Sequence, residues 1–266
     1  MSSQDRMLAI LDHFQDDTSV ITLETVIAHL QCSRATAYRY LKSLANSGLL
    51  SPTAGGAYVL GSRIIELDRH LQQHDPLMRA ARGVMQRAGD TLHTNLMLCS
   101  YYGKKVMCVD RYWPDTTIES SYARGRPFSM FAGATAKPIL ANLSTYQLRN
   151  LILWHADEIQ AAGLGSNWDE FRSELKRLRQ AGVYVSHGEV DADLVGVGAA
   201  IFNPENKVVG SLVFILAKKR ATAHHLKRLQ EEISRSAAEI SAQLEASAQP
   251  STLPSRPPRA KISRSA

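Results

Sequence analysis

The run SRATAYRYLKSLANSG, residues 33–48, narrows the choice of fold more than any other stretch of the chain. Ala37, Tyr40, Leu41 and Leu44 recur at helical spacing, which predicts one apolar stripe. Ser33 is placed to cap that helix and Gly48 to end it in a left-handed residue. With the stripe turned inward, the outward surface is Ala35, Thr36, Tyr38, Arg39, Lys42 and Ser43, which is small, hydroxylated and basic, with no carboxylate. A first helix is readable over Asp5–Phe14, followed by a polar break at Asp16, Asp17, Thr18 and Ser19. Thr22 then caps a short helix over 23–30, and Gln31-Cys32 is a tight connection. Two short helices joined by a tight turn, the second exposing such a face, describe a helix-turn-helix. Leu49-Leu50 and Ala57-Tyr58-Val59-Leu60 flank a Gly55-Gly56 turn and predict a β-hairpin, the wing.

Charge supports the same reading through its distribution. The net charge is +6, but the tail after Ala248 holds Arg256, Arg259, Lys261 and Arg264 without an acid, so four of the six charges lie there. In the amino-terminal segment the acids Asp5, Asp12, Asp16, Asp17 and Glu24 all precede position 25, and none recurs until Glu66. Between those limits Arg34, Arg39, Lys42 and Arg63 stand alone, the polarised surface that phosphate recognition requires. The competing interpretation is a small helical module that contacts protein instead of DNA.

Beyond the wing, Ile64, Leu67 and Leu71 predict a helix capped by Ser62, and Asp75-Pro76 restarts the chain as N-cap and first helical residue of a helix over 76–89. From about residue 94 the hydrophobic period changes. Residues 95–102 and 105–112 around Gly103-Lys104 read as a hairpin, followed by a strand near 117–123. Helices are predicted at about 134–142, 144–155 and 168–181, the last capped by Asn167 and ended by Gly182. Strands at 183–187, 195–203 and 207–217 and an amphipathic helix at 222–246 complete an α+β domain. The expected organisation is a winged helix over 1–61, a linker helix over 62–75, an effector-binding and oligomerisation domain over 76–247, and a basic tail over 248–266 too poor in apolar residues to fold.

Several function classes are disfavoured. No apolar run approaches the roughly 18 residues that span a bilayer, and the N-terminus lacks the pattern of a secretory signal, so no membrane partner is expected and a cytoplasmic location is. Cys32, Cys99 and Cys108 form no metal-type spacing, although Cys99 and Cys108 would face each other across a two-residue turn. His70 and His74 are four apart but lack a third ligand. Glu189, Asp191 and Asp193 follow His187 in a glycine-flanked turn, where solvated loop carboxylates are the ordinary explanation of the two aspartates. No nucleophile elbow, metalloprotease or phosphate-loop motif occurs, so neither catalysis nor a cofactor is expected.

TLETVIAHLQCSRATAYRYLKSLANSGLL, the hairpin ending Tyr58-Val59-Leu60-Gly61, RGRPFSMFAGATAKPILANL and GEVDADLVGVGAAIFNPENKVVGSL together resemble an IclR-type bacterial transcription regulator, in order over nearly all of 5–246. The resemblance implies a winged helix, a linker helix and a GAF-like effector domain, acting as a dimer or dimer of dimers on palindromic double-stranded operators. It agrees with the helical stripe on Ser33, Arg34, Thr36, Tyr38, Arg39 and Lys42 as DNA-facing residues, with Tyr58 in the wing. Arg39 suits a guanine edge, and Ser33, Thr36 and the helix terminus suit phosphate. For the effector the resemblance implies Gly133, Ala134 and Thr135, with Ser186 and Gly196 opposite and Val213 and Ile215 on the last strand. Val213 and Ile215 stand where some relatives carry a small hydroxyl residue, which favours an aromatic or longer organic acid over a very small polar one.

Overall fold

The stripe between Ser33 and Gly48 folds as a helix in the computed structural model, which describes residues 2–14, 18–102, 105–118 and 123–248. Ahead of it lie α1 (Ser3–Leu8), a short 3-10 turn (Ala9–His13) and α2 (Leu23–Leu30). The stripe itself is α3 (Arg34–Asn46). The Thr22 and Ser33 hydroxyls accept the Thr25 and Thr36 N–H groups, so both caps read from the sequence form. Gln31 adopts a left-handed φ of 45° that turns the chain between α2 and α3. Ala37, Tyr40, Leu41 and Leu44 are buried with Ile10, Ile21, Val26 and Leu50 in one core. The wing is β1 (Leu50–Pro52) paired antiparallel with β2 (Tyr58–Leu60), and Tyr58 also exchanges both backbone hydrogen bonds with Ile21. α4 (Arg63–His74) closes this unit, and a compact second unit begins at Pro76.

The second unit opens with α5 (Pro76–Leu92), β3 (Asn95–Tyr102), β4 (Lys105–Tyr112) and β5 (Pro127–Phe128). Three helices follow: α6 (Gly133–Ala141), α7 (Thr145–Ala161, kinked at His155) and α8 (Trp168–Ala181). β6 (Val183–His187), β7 (Leu194–Phe202), β8 (Val208–Ala217) and α9 (Ala223–Ala248) complete it. The strands form one antiparallel sheet in the order β5-β4-β3-β8-β7-β6. Strand alternation assigns each face its own core. Leu96, Leu98, Val195, Val197, Leu212 and Phe214 pack with α5 and α9, whereas Met97, Cys99, Val213 and Ile215 pack with α6, α7 and α8. With helices on both faces, β8 is buried almost end to end, which is why it reads as an unbroken apolar run.

Three expectations are corrected. The first helix does not continue to Phe14: its end winds into the 3-10 turn, which carries Ile10 fully into the core while Leu8 stays half exposed. Ser62 makes no side-chain cap, because it already has helical angles (φ −61°, ψ −19°). The strand near 117–123 is not formed at its start. Asp115 Oδ1 instead accepts both the N–H and the hydroxyl of Thr117, a local turn that competes with extended pairing, and the edge strand is the two-residue β5. Residues 119–122 of that expected strand, Asp16 and Asp17, the Gly103-Lys104 turn and the basic tail from 249 onward lie outside the described residues.

The α6-facing side of β7 is Gly196, Gly198 and Ala200, which lets α6 lie directly on the sheet. A Cβ on Gly198 would stand 2.2 Å from the Ala134 carbonyl oxygen. Pro138, in place of a residue with an N–H, leaves that carbonyl without its helical donor. Replacing Gly198 by alanine should therefore lower stability by about 2 kcal/mol or more through overpacking, read as a lower urea midpoint with unchanged slope.

Candidate functional site

Two groups of predicted residues are each brought together, one in each unit. On α3 the outward residues remain available: Tyr38 is 53% exposed and Arg39 and Lys42 are exposed, whereas Tyr40 is buried with its hydroxyl 2.8 Å from Ser3 Oγ. The two tyrosines are separated by helical phase alone. The Arg39 guanidinium carbon lies 5.8 Å from the Tyr40 ring centre, a cation–π contact at the edge of the exposed face. Arg34 pairs with Glu24 at 3.3 Å, both widely exposed, so it is available to DNA only by giving up a weak surface contact. Ser33 Oγ is committed to the Thr36 N–H and lies 3.0 Å from Thr36 Oγ1, so Ser33 shapes the helix start more than it offers a free donor. Tyr58 is half-buried against the winged-helix core.

In the second unit, Gly133, Ala134, Thr135, Ser186, Gly196, Val213 and Ile215 all line one cavity at the N-terminus of α6. Its free volume is only about 10 Å³, the space of one water molecule. Sequence reasoning missed the residues that close it: Glu189, Val190, Asp191 and Leu194, from the β6–β7 connection and the start of β7. Ser211 Oγ donates to the Thr135 carbonyl at 2.6 Å, tying β8 to the first turn of α6. Thr135 Oγ1, on a residue 3% exposed, has no hydrogen-bond partner. A buried hydroxyl without a partner is uncommon and costly, so it marks a place where a polar group fits. Two larger clefts, of about 560 and 730 Å³, lie at the other end of α6 beside Asn142, but both are open and the Arg179 guanidinium there is taken up by the Ala141 and Leu143 carbonyls.

An ion pair between a buried lysine and a partly exposed glutamate controls the closed end. Lys137, on α6 with its side chain 8% exposed, lies 2.7 Å from Glu189 Oε2, which also accepts the Gly133 N–H at 2.9 Å. The other Glu189 oxygen accepts the Tyr184 hydroxyl at 2.5 Å, and Lys137 Nζ donates to the same hydroxyl at 2.9 Å. Burial alone pushes the Glu189 carboxyl up, but the bonds from Lys137, Tyr184 and Gly133 outweigh it and hold the group below its ordinary value. Burial likewise pushes the Lys137 ammonium down, and Glu189 and Tyr184 more than reverse it. Both shifts favour the charged forms.

The remaining chemistry-bearing residues do not assemble further. Asp191 Oδ1 accepts the Asp193 N–H within the turn, whereas the partly exposed Glu189 carboxylate is taken up by Lys137, Gly133 and Tyr184. His70 and His74 stack at 5.9 Å, and among the described residues no group of three His, Cys, Asp or Glu side chains is arranged to hold a metal ion. Cys99 and Cys108 are free and face each other in the β3–β4 register. Burial pushes the Cys99 thiol well up and Cys108 up to about 11, so both are poor nucleophiles. Among the described residues no helix is long and apolar enough to cross a membrane.

A helix-turn-helix unit followed by a separate sheet domain is the architecture of a transcription regulator, and comparison with known proteins agrees. Residues 3–53 match the IclR helix-turn-helix domain, and residues 69–242 match the bacterial transcriptional regulator IclR C-terminal domain. The chain belongs to the IclR family of bacterial transcription regulators. It is 26% identical over 238 residues to the HTH-type transcriptional regulator KipR of Bacillus subtilis, covering 89% of this chain and 94% of that one. It is 20% identical over 247 residues to XynR of Escherichia coli, covering 91% and 96%. An IclR transcriptional regulator from Alicyclobacillus acidocaldarius shares the fold with a TM-score of 0.74 at 20% identity, over 91% and 98% of the two chains. An IclR homolog from Microbacterium hydrocarbonoxydans, complexed with 4-hydroxybenzoate, does so with a TM-score of 0.69 at 18% identity, over 92% and 100%. The matched families and relatives are regulators, and this chain is not an enzyme.

The Lys137–Glu189 pair makes a pH-dependent prediction. Because the folded Glu189 carboxyl is held below its ordinary value of 4.5, its contribution is present above that pH and is lost as pH falls through the folded value. Glu189→Gln should cost about 2 kcal/mol near neutrality, and the gap to the wild type should close in acid. Urea unfolding across the acid range checks both magnitude and sign.

Proposed function

We propose that the chain binds a palindromic operator sequence-specifically through α3 and the wing, and that a small organic acid at the α6 cavity modulates that binding. The observation that carries this reading is that the seven residues implied by the family resemblance, from α6, β6, β7 and β8, line one cavity with an unpaired buried hydroxyl. First-turn N–H groups and the Thr135 hydroxyl are donors suited to a carboxylate, and Val213, Ile215 and Leu194 supply apolar wall for a carbon skeleton. The complex of the Microbacterium relative with an aromatic acid supports the class of ligand. The free volume of about 10 Å³ means that any such acid enters only after the wall moves. α4 buries none of its side chains, and its exposed Leu67 and Leu71 support pairing with a second copy, as a two-fold operator requires.

A ligand shifts an equilibrium only as far as it binds one state better than the other, so the acid must prefer one arrangement of the paired recognition helices. The reading places the protein with its DNA in the cytoplasm. Binding to the chain's own upstream intergenic DNA at several salt concentrations, with and without a panel of organic acids, tests it. Arg39→Ala should weaken specific binding by about 1–3 kcal/mol and relax discrimination at one position, and Lys42→Ala should reduce the salt slope by about 1 at unchanged sequence preference. Binding and salt slope unaltered in both variants would indicate a winged helix that contacts protein. Thr135→Val should leave operator binding intact and weaken the acid response by about tenfold, read as a shift in the concentration that alters DNA binding.

A further inference from the structure

Glu189 sits where an acidic ligand would have to bind. Its carboxylate, itself part of the cavity wall, holds the first N–H of α6 and the buried Lys137 ammonium, the two groups it touches that are best able to receive an anion. Ala132, at the N-cap position, offers no side-chain cap, so this end of α6 depends on a carboxylate from elsewhere. In the same cavity Thr135 Oγ1 remains buried and unpaired, so the seat offers a polar atom that Glu189 does not use. Val190 forms the roof: a Cβ on Gly133 would lie 2.7 Å from Val190 Cγ2, yet Val190 itself is 45% exposed, so the roof is one side chain thick. The connection is pinned at its ends, by the Gly188 N–H on the Leu194 carbonyl at 3.0 Å and the Lys218 N–H on the Asp193 carbonyl at 2.8 Å.

We propose that Glu189 is an internal stand-in for the effector's acid group, holding the seat at the N-terminus of α6 until an acidic effector displaces it and lifts residues 189–192 off the cavity. This rests on the reading above that the cavity is the effector site. The exchange conserves charge: one carboxylate leaves Lys137 as another arrives, so the buried ammonium is never left unpaired. A neutral ligand of the same shape would strand it, which selects for acids. Tyr184, bonded to both Lys137 and Glu189, keeps the ammonium in place while the carboxylates change. The expected cost of entry is a reduced apparent affinity, because only the fraction of molecules with Glu189 withdrawn can accept the acid.

The test uses acetate, which reproduces the glutamate carboxylate and does not depend on knowing the natural effector. Glu189→Ala should melt below the wild type, and acetate at ten times its dissociation constant should raise the variant's melting temperature by on the order of 3 °C. Acetamide should not do so, and the wild type should respond much less to the same acetate. Tyr184→Phe, which removes one partner of the Glu189 carboxylate with little change in volume, should show an intermediate acetate response, and it carries the comparison if the alanine variant does not fold. Equal acetate responses in wild type and variants, or acetamide matching acetate, overturns the displacement. Rescue by acetate with no acid changing operator binding keeps the seat and removes the effector reading. No rescue, alongside an acid-sensitive operator response that Thr135→Val weakens, keeps the effector reading and overturns the stand-in.

Discussion

The arrangement of the second unit depends on how closely α6 approaches the sheet. Gly196 and Gly198 remove the side chains that would hold the helix away, and every residue of α6 is consequently buried. Burying the whole helix buries Lys137 with it, and a buried ammonium must be paired or neutralised. Glu189 supplies the pair, and in reaching Lys137 it also caps the Gly133 N–H and brings Val190 over the cavity. The small free volume, the unpaired Thr135 hydroxyl and the closed connection thus follow from one close contact between a helix and the glycine- and alanine-lined face of a strand.

The first unit solves a smaller problem in a comparable way. Its core is one stripe of α3 against α1, α2 and the wing, which fixes by helical phase what faces outward. Tyr40 turns in to meet Ser3 while Tyr38, Arg39 and Lys42 turn out. The exposed face is free of carboxylate, with Glu24 meeting only Arg34 at its edge. In the second unit a charged side chain is buried and compensated, whereas in the first the charges are left in solvent, as contact with a polyanion requires.

Local chemistry made most of this legible in the sequence. The Thr22, Ser33 and Asn167 caps, the left-handed Gly48 and Gly182 and the short apolar-rich runs of β3, β4, β7 and β8 act within a few residues of themselves. They placed those elements to within a residue or two. Periodicity could not see β5, whose two residues are too short to show alternation, nor the Asp115 turn that displaced the expected strand. The predicted cavity residues were found through resemblance and small side chains. Glu189 and Lys137 were not, because their pairing is tertiary: Glu189 and Gly133 lie 56 residues apart, and a carboxylate in a glycine-flanked turn looks solvated until the opposite helix is in place. The spacing of Gly196, Gly198 and Ala200 was the available signal, since three small residues on one face of a buried strand imply a helix pressed against it.

The central claim is that the N-terminus of α6 is where an acid is read and where Glu189 yields. The amide signal of Gly133, followed by nuclear magnetic resonance while an acid that alters operator binding is titrated in, addresses it most directly. The account predicts that the Gly133 amide and the Glu189 side-chain signals move together, with the same dissociation constant as the change in DNA binding. An acid that changes DNA binding while both signals stay where they are in the ligand-free protein would contradict it.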